Sequence, residues 1–246
     1  VLIETEGIVL KKRKLNHSDV FLTLFSKNLG KIQVFAKGAS NPRSSMNKGA
    51  HPFVHGRYAL RGDKTYTLSS VEIISNFYHF RENLKKLSYA SYFLDLVEQS
   101  IKEDEVNHQL FQGLIEALMY LDKTQGYEEK IKLHFELNTL RYLGIMPEVT
   151  QCIHCGKKDE HFRYISMAHG GVVCTTCLEK GNEAAKIHPT LVELMAFTTR
   201  IRMGEFLKKD INGLLIEKMD IFINSFIDYH LGVSRIKSRK FLKIYE

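Results

Sequence analysis

The hydrophobic pattern changes its period once, close to residue 78. That change restricts the chain to a β module followed by a helical one. Before it, Ile32, Val34 and Ala36 alternate with Lys31, Gln33, Phe35 and Lys37. This is a period of two, with one apolar face and one face carrying two lysines and a ring. Val20, Leu22 and Leu24 alternate with Phe21, Thr23 and Phe25, so both faces are largely apolar and a central strand is expected. The pattern predicts strands near 3–12, 19–26, 31–37, 51–61 and 65–74, with turns at 15–18, 28–30 and 62–63. Five short strands suggest a small barrel of the oligonucleotide-binding (OB) type. An SH3-type barrel competes, and strand count alone does not separate the two. The segment 38–49 is small, polar and basic, with glycine at both ends and Met46 as its one large apolar residue. A mobile loop able to close over a ligand is expected there.

After residue 80 apolar residues recur at three- and four-residue steps. Leu84, Leu87, Ala90, Leu94, Val97 and Ile101 form one stripe, and Leu110, Leu114, Leu118 and Leu121 another. Ile131, Phe135, Leu140 and Leu143 continue to the stop signals Gly144 and Pro147, and Leu191, Leu194, Met195, Ile211, Leu215, Phe222 and Phe226 mark later helices. The expected class is therefore α+β and multi-domain. An N-terminal five-stranded OB barrel at 1–78 precedes an all-helical domain at 79–148 and 181–246, interrupted at 149–180.

The interruption holds every cysteine of the chain: Cys152-Ile-His-Cys155 and, eighteen residues on, Cys174-Thr-Thr-Cys177. This C-x2-C pair of pairs has the spacing of a four-thiolate zinc finger. Two intervening residues let both sulfurs of a pair face one ion from a tight turn, and Gly156 suits that turn. Phe162, Tyr164 and Ile165 lie where a short hairpin would join the pairs. Four thiolates saturate tetrahedral zinc, so Cys152, Cys155, Cys174 and Cys177 are expected to hold one structural zinc per chain. His154 is surplus to that set, and His134 reads as a satisfied core residue on an apolar helix face.

The 246 residues carry 35 basic and 28 acidic side chains, a formal net charge of +7. Residues 1–75 hold 12 of the basic and 5 of the acidic ones, leaving 23 of each for the rest. The barrel module thus carries the whole imbalance, which points to a polyanionic partner. No phosphate-binding G-x-x-x-x-G-K-[ST], no G-x-G-x-x-G after a strand, no G-x-S-x-G and no H-E-x-x-H is present. Glu103-Asp104-Glu105 reads as a solvated helix end. A binding protein is expected rather than an enzyme. No apolar run reaches about 18 residues, and residues 1–6 lack the layout of a secretory leader. A cytoplasmic protein is expected.

Three further stretches carry a family likeness. Glu6-Gly-Ile-Val-Leu10, Ser18-Asp-Val-Phe-Leu-Thr-Leu-Phe-Ser26 and Gly30-Lys-Ile-Gln-Val-Phe-Ala-Lys-Gly-Ala39, with the ending Ser234-Arg-Ile-Lys-Ser-Arg-Lys-Phe-Leu242, resemble the bacterial recombination mediator family RecO. The resemblance spans nearly the whole chain. It implies an OB-fold N-terminal domain, a helical C-terminal domain holding a zinc finger, and a role in recombinational DNA repair. It implies binding of single- and double-stranded DNA, annealing of complementary strands, and action with RecR to load RecA on DNA coated by single-strand-binding protein (SSB).

An annealer holds strands by their backbones and leaves base edges free. Candidate DNA contacts are Lys31, Phe35 and Lys37 on the third strand, Arg57 and Arg61 with His55 at one parity on the fourth, and Arg43 and Lys48 on the loop. Lys11-Lys-Arg-Lys14 would suit duplex contacts. The tail 235–243 is a candidate second DNA contact or a dock for the acidic SSB C-terminal tail. Two other readings stand beside this one: a protein-interaction adaptor whose barrel only tethers a complex to nucleic acid, and an RNA-binding factor.

Overall fold

The computed structural model describes residues 2–62, 65–158, 161–232 and 236–242. They divide into two compact units, one drawn from Val1–Gln125 with Arg235–Glu246 and the other from Gly126–Ser234.

The first unit begins with five strands: β1 (Leu2–Lys14), β2 (Val20–Ser26), β3 (Gly30–Ala36), β4 (His55–Arg61) and β5 (Tyr66–Ser75). They close a barrel in the order β1-β2-β3-β5-β4, with β3 and β5 parallel and the other pairs antiparallel. This is the Greek-key closure of an OB barrel. The pairing, not the strand count, decides against the SH3 alternative. β1 serves two partners, β4 through Ile8 and β2 from Gly7 onward, and its ladder shifts register between Val9 and Lys11. Such a bulge bends a strand enough to curl a sheet closed. Val9, Val20, Leu22, Leu24, Ile32, Val34, Tyr58 and Leu60 fill the interior.

The fourth strand starts at His55, not at the expected residue 51. Residues 51–54 instead turn against β1, where Phe53 N–H bonds the Val9 carbonyl and Val9 N–H bonds that of Val54, both at 3.0 Å. The segment expected to be a mobile loop has local structure of its own. Residues 38–50 fold as successive turns, Asn41 to Gly38, Ser44 to Asn41, Asn47 to Ser44 and Ala50 to Asn47. Ala39 and Ala50 are buried in the barrel core and Met46 packs against it. Small residues read as permissive in sequence are here what allows a tight fit.

Three helices follow in the same unit: α1 (Tyr78–Arg81), α2 (Leu84–Ser100) and α3 (His108–Lys123). Asn83 and Asn107 cap the two long ones by accepting from the N–H groups of Lys86 and Leu110. Residues 103–105 form part of the α2–α3 connection, where Asp104 N–H bonds the Lys31 carbonyl at 2.9 Å. Gly30, at φ +72°, faces the Glu105 carbonyl so closely that a Cβ would stand 2.4 Å from its oxygen, so this turn tolerates only glycine. The short α9 (Arg239–Leu242) packs on α2, with Ile236 and Leu242 buried. The change of period near residue 78 and the division between compact units after Gln125 are thus different places in the chain.

The second unit is built on α4 (Glu128–Tyr142), in which every residue from 131 to 140 is buried. α6 (Pro189–Thr198), α7 (Met203–Leu207) and α8 (Gly213–Leu231) surround it. Buried Lys132 and His134 of α4 find partners within the unit, whereas Thr139 Oγ1 has no hydrogen-bond partner among the described residues. Lys132 pairs with Glu136 at 2.9 Å and with Asp220, and His134 Nε2 lies 3.0 Å from the Ile201 carbonyl. Between α4 and α6 come β6 (Tyr164–Ser166), β7 (Gly171–Val172), α5 (Thr175–Glu179) and β8 (Ala185–Lys186), the strands ordered β7-β6-β8. Among the described residues no helix is long and apolar enough to cross a membrane.

Candidate metal centre and nucleic-acid interface

The four cysteines come together in the second unit. Cys152 opens a tight turn: Gly156 N–H returns to the Cys152 carbonyl and Cys152 N–H bonds the Lys157 carbonyl, both at 2.8 Å. Gly156 has φ +70°, which the turn requires. The β6–β7 hairpin delivers Cys174 to the start of α5, and Cys177 follows one turn later. Ile153 N–H bonds the Val172 carbonyl at 3.0 Å and holds the two pairs face to face.

All four sulfurs lie within 4.8 Å of one another, and those of Cys155 and Cys174 are 3.7 Å apart. Tetrahedral metal–sulfur bonds of about 2.3 Å place sulfurs about 3.8 Å apart, so the donor set fits such an ion. Burial works against ionising Cys152, but backbone N–H groups of Cys174, His154 and Cys155 bring it down to about 6. Cys177 is pushed up to about 12 by burial and by its three neighbouring thiols. Four thiols this close ionise together only when a cation balances them. His154 stands outside the set, its ring 5.3 Å from that of His169.

The barrel's outer surface is the second candidate site. Strand register aligns Arg13 with Phe21, Phe21 with Phe35, Phe35 with Thr67 and Thr67 with Arg61. Paired residues share a face, so two rings and a threonine run across three strands between two exposed arginines. The Arg13 guanidinium lies 5.6 Å from the Phe21 ring centre, and the two rings are 5.6 Å apart at 56°. Beside the row lies an open cleft of about 510 Å³, lined by Lys12, Arg13, Phe21, Thr23, Gln33 and Pro52 among others. Lys37 is exposed just beyond β3, and Arg43 and Lys48 are exposed on the folded loop.

The other end of this face is covered. Phe25 packs edge-on against Phe111 at 5.5 Å, and Lys11 pairs with Glu98 at 2.8 Å. Lys31 donates to the Glu98 carbonyl at 2.6 Å. Arg57 lies in a different row, between Glu6 and Glu72, and pairs with Glu72 at 3.2 Å. His55 is buried beside Phe111 and 2.8 Å from Glu6. The structure therefore aligns Phe35 with Arg61 and leaves Lys37, Arg43 and Lys48 exposed, while Lys31 and Arg57 have partners within their own unit. Sequence reasoning passed over Phe21, and reached Arg13 only as part of the 11–14 basic run proposed for duplex contacts. Their outward parity is legible, but their alignment with Phe35 needs the register. Of the tail, Arg235 and Lys243 lie outside the described residues. Arg239 lies over Tyr92 at 5.8 Å, and Phe241 and Lys240 are exposed.

The fold and the two sites define a modular protein, an OB barrel with helices and a second helical unit carrying a four-cysteine centre. Family models described as recombination protein O N terminal and recombination protein O C terminal match residues 1–77 and 81–240. The chain is 34% identical over 244 residues to the DNA repair protein RecO of Alkaliphilus metalliredigens, covering 99% of each. It is 30% identical to that of Acetivibrio thermocellus over 88% of this chain and 87% of the relative, and 28% identical to that of Bacillus subtilis over 98% and 94%. The chain belongs to the RecO family of DNA repair proteins.

Proposed function

We propose that this chain is a recombination mediator that binds single- and double-stranded DNA and anneals complementary strands. In this reading it acts with RecR to load RecA on single strands coated by SSB, in the cytoplasm and at the nucleoid. The observation that carries the proposal is the Arg13–Phe21–Phe35–Thr67–Arg61 row on an OB barrel, two exposed arginines flanking half-buried rings and a threonine. Arginines meet phosphates, and rings stack on bases without reading them. A strand held so keeps its base edges free to pair, which is what annealing requires. Lys37, Arg43 and Lys48 extend the basic surface. Lys31, bonded to the Glu98 carbonyl, and Arg57, paired with Glu72, act in holding the barrel unit together.

The four-cysteine centre is read as structural zinc. Cys152, Cys155, Cys174 and Cys177 would fill its coordination and leave no position for water or substrate, so the ion supplies folding energy to the β6–α5 region. No catalytic role is assigned to any residue.

Fluorescence anisotropy with a labelled single-stranded oligonucleotide tests the reading. Phe21→Ala and Phe35→Ala should each weaken binding by about 1–3 kcal/mol with the salt slope retained. Arg61→Gln should reduce the slope by about 0.7. Wild-type affinity in all three variants would remove the row from the interface and favour an adaptor that touches nucleic acid elsewhere.

A further inference from the structure

β1 runs past its last pairing with β4, at Ile8, as far as Lys14. Lys12 is aligned with Leu22, a core residue, so its side chain has the inward parity at the end of the barrel. Residues 51–54 are bonded to β1 at Val9, and Lys12 and Pro52 line one cleft. From α1, Arg81 reaches the same segment. It donates to the carbonyls of Pro52 and Asn76, each at 3.1 Å, and lies 5.8 Å from the centre of the Phe53 ring. Phe53 itself is held at φ +73°, a left-handed conformation costly for a phenylalanine. Two cationic side chains, Lys12 from β1 and Arg81 from α1, thus converge on residues 51–53 beside the His51 imidazole.

Nothing described in the chain neutralises them. Arg81 is bonded to carbonyls and His51 to the Asn47 side-chain oxygen at 3.3 Å. Among the described residues no carboxylate pairs with any of the three. Burial, then the charges of Lys12 and Arg81, hold His51 below the ordinary histidine range, and burial lowers both Lys12 and Arg81. Lys12 and Arg81, two unpaired cations kept beside an imidazole at this cost, are arranged for an anion from outside.

We propose that Lys12, His51 and Arg81 form a phosphate subsite that holds the backbone of a nucleic-acid strand at the barrel's end. The inference rests on the DNA-binding reading above and deepens it, because the cleft shared by Lys12, Arg13 and Phe21 joins this subsite to the aromatic row. A phosphate seated here reverses the repulsion on His51, which then takes up a proton from solvent. Binding that takes up a proton strengthens as pH falls through the bound-state pKa toward the free-state one.

The test is anisotropy of a labelled single-stranded oligothymidylate with the full chain, over a salt series between about pH 8 and about pH 6. Wild type should tighten about three- to tenfold across that range. His51→Gln should lose that gain while binding at high pH is kept. Lys12→Gln should reduce the salt slope by about 0.7. Both residues are partly exposed, so circular dichroism should show an unchanged fold. Equal pH dependence in wild type and His51→Gln, or an unchanged slope in Lys12→Gln, with binding intact, overturns the subsite alone. No binding by wild type at any pH overturns the DNA-binding reading with it. A third arm follows the His51 ring by NMR. If inorganic phosphate raises its pKa as far as the oligonucleotide does, the site takes a small anion and the assignment to a strand is wrong.

Discussion

Asp19 sits between β1 and β2, where its carboxylate accepts from Gly38 N–H at 2.8 Å and from the Asn16 side-chain amide at 2.8 Å. The Gly38 bond first, then Asn16, hold its pKa below the ordinary 3.8. A depressed carboxylate stabilises the fold above its unfolded pKa and loses that contribution as pH falls through its folded one. Asp19→Ala should therefore lower the melting temperature at neutral pH, and the gap to wild type should close as pH falls below about 4. A gap that persists in acid would assign the effect to packing. The same scale shows where sequence falls short. Alternation along β3 marks Phe35 and Lys31 alike as outward-facing. Only tertiary structure separates them, because Lys31 meets Glu98, 67 residues away. Arg57 likewise reads as a free cation until the β4–β5 register sets it beside Glu72.

At the scale of elements, the cysteine turns were legible because each pair is local. A C-x2-C spacing and a following glycine already specify the turn, and the β6–β7 hairpin lies where apolar residues suggested it. Metal analysis of freshly purified, reduced protein should give about one zinc per chain, and Cys152→Ser should lose it together with heat stability. Protein that is metal-free yet equally stable would contradict the structural assignment. Helix α4 was legible only in part. Its apolar stripe was visible, but Lys132, Glu136 and Asn138 look like a solvated face and are buried. The carboxylates of Glu136 and Asp220 keep Lys132 charged against the opposing effect of burial. Lys132→Met removes the buried cation that faces Glu136, and should cost about 3–5 kcal/mol in urea unfolding. Lys132→Met with Glu136→Leu should recover much of that loss. A single variant as stable as wild type would mean that water reaches the pair.

For the whole molecule, the charge imbalance points to the first third of the chain, and the barrel topology gives that basic module a shape. Five strands alone allowed two barrels, and the parallel β3–β5 pairing is non-local, so no run of residues announces it. That pairing completes the row from Arg13 to Arg61 and brings residues scattered in sequence onto one face. The most direct measurement is annealing of fluorescently paired complementary oligonucleotides, with and without SSB, across a salt series. The account predicts that the full chain accelerates annealing, that salt abolishes the acceleration, and that Phe21→Ala with Phe35→Ala abolishes it at any salt while the metal content stays intact. No acceleration by folded, metal-replete wild type, or full acceleration by the double variant, would contradict it.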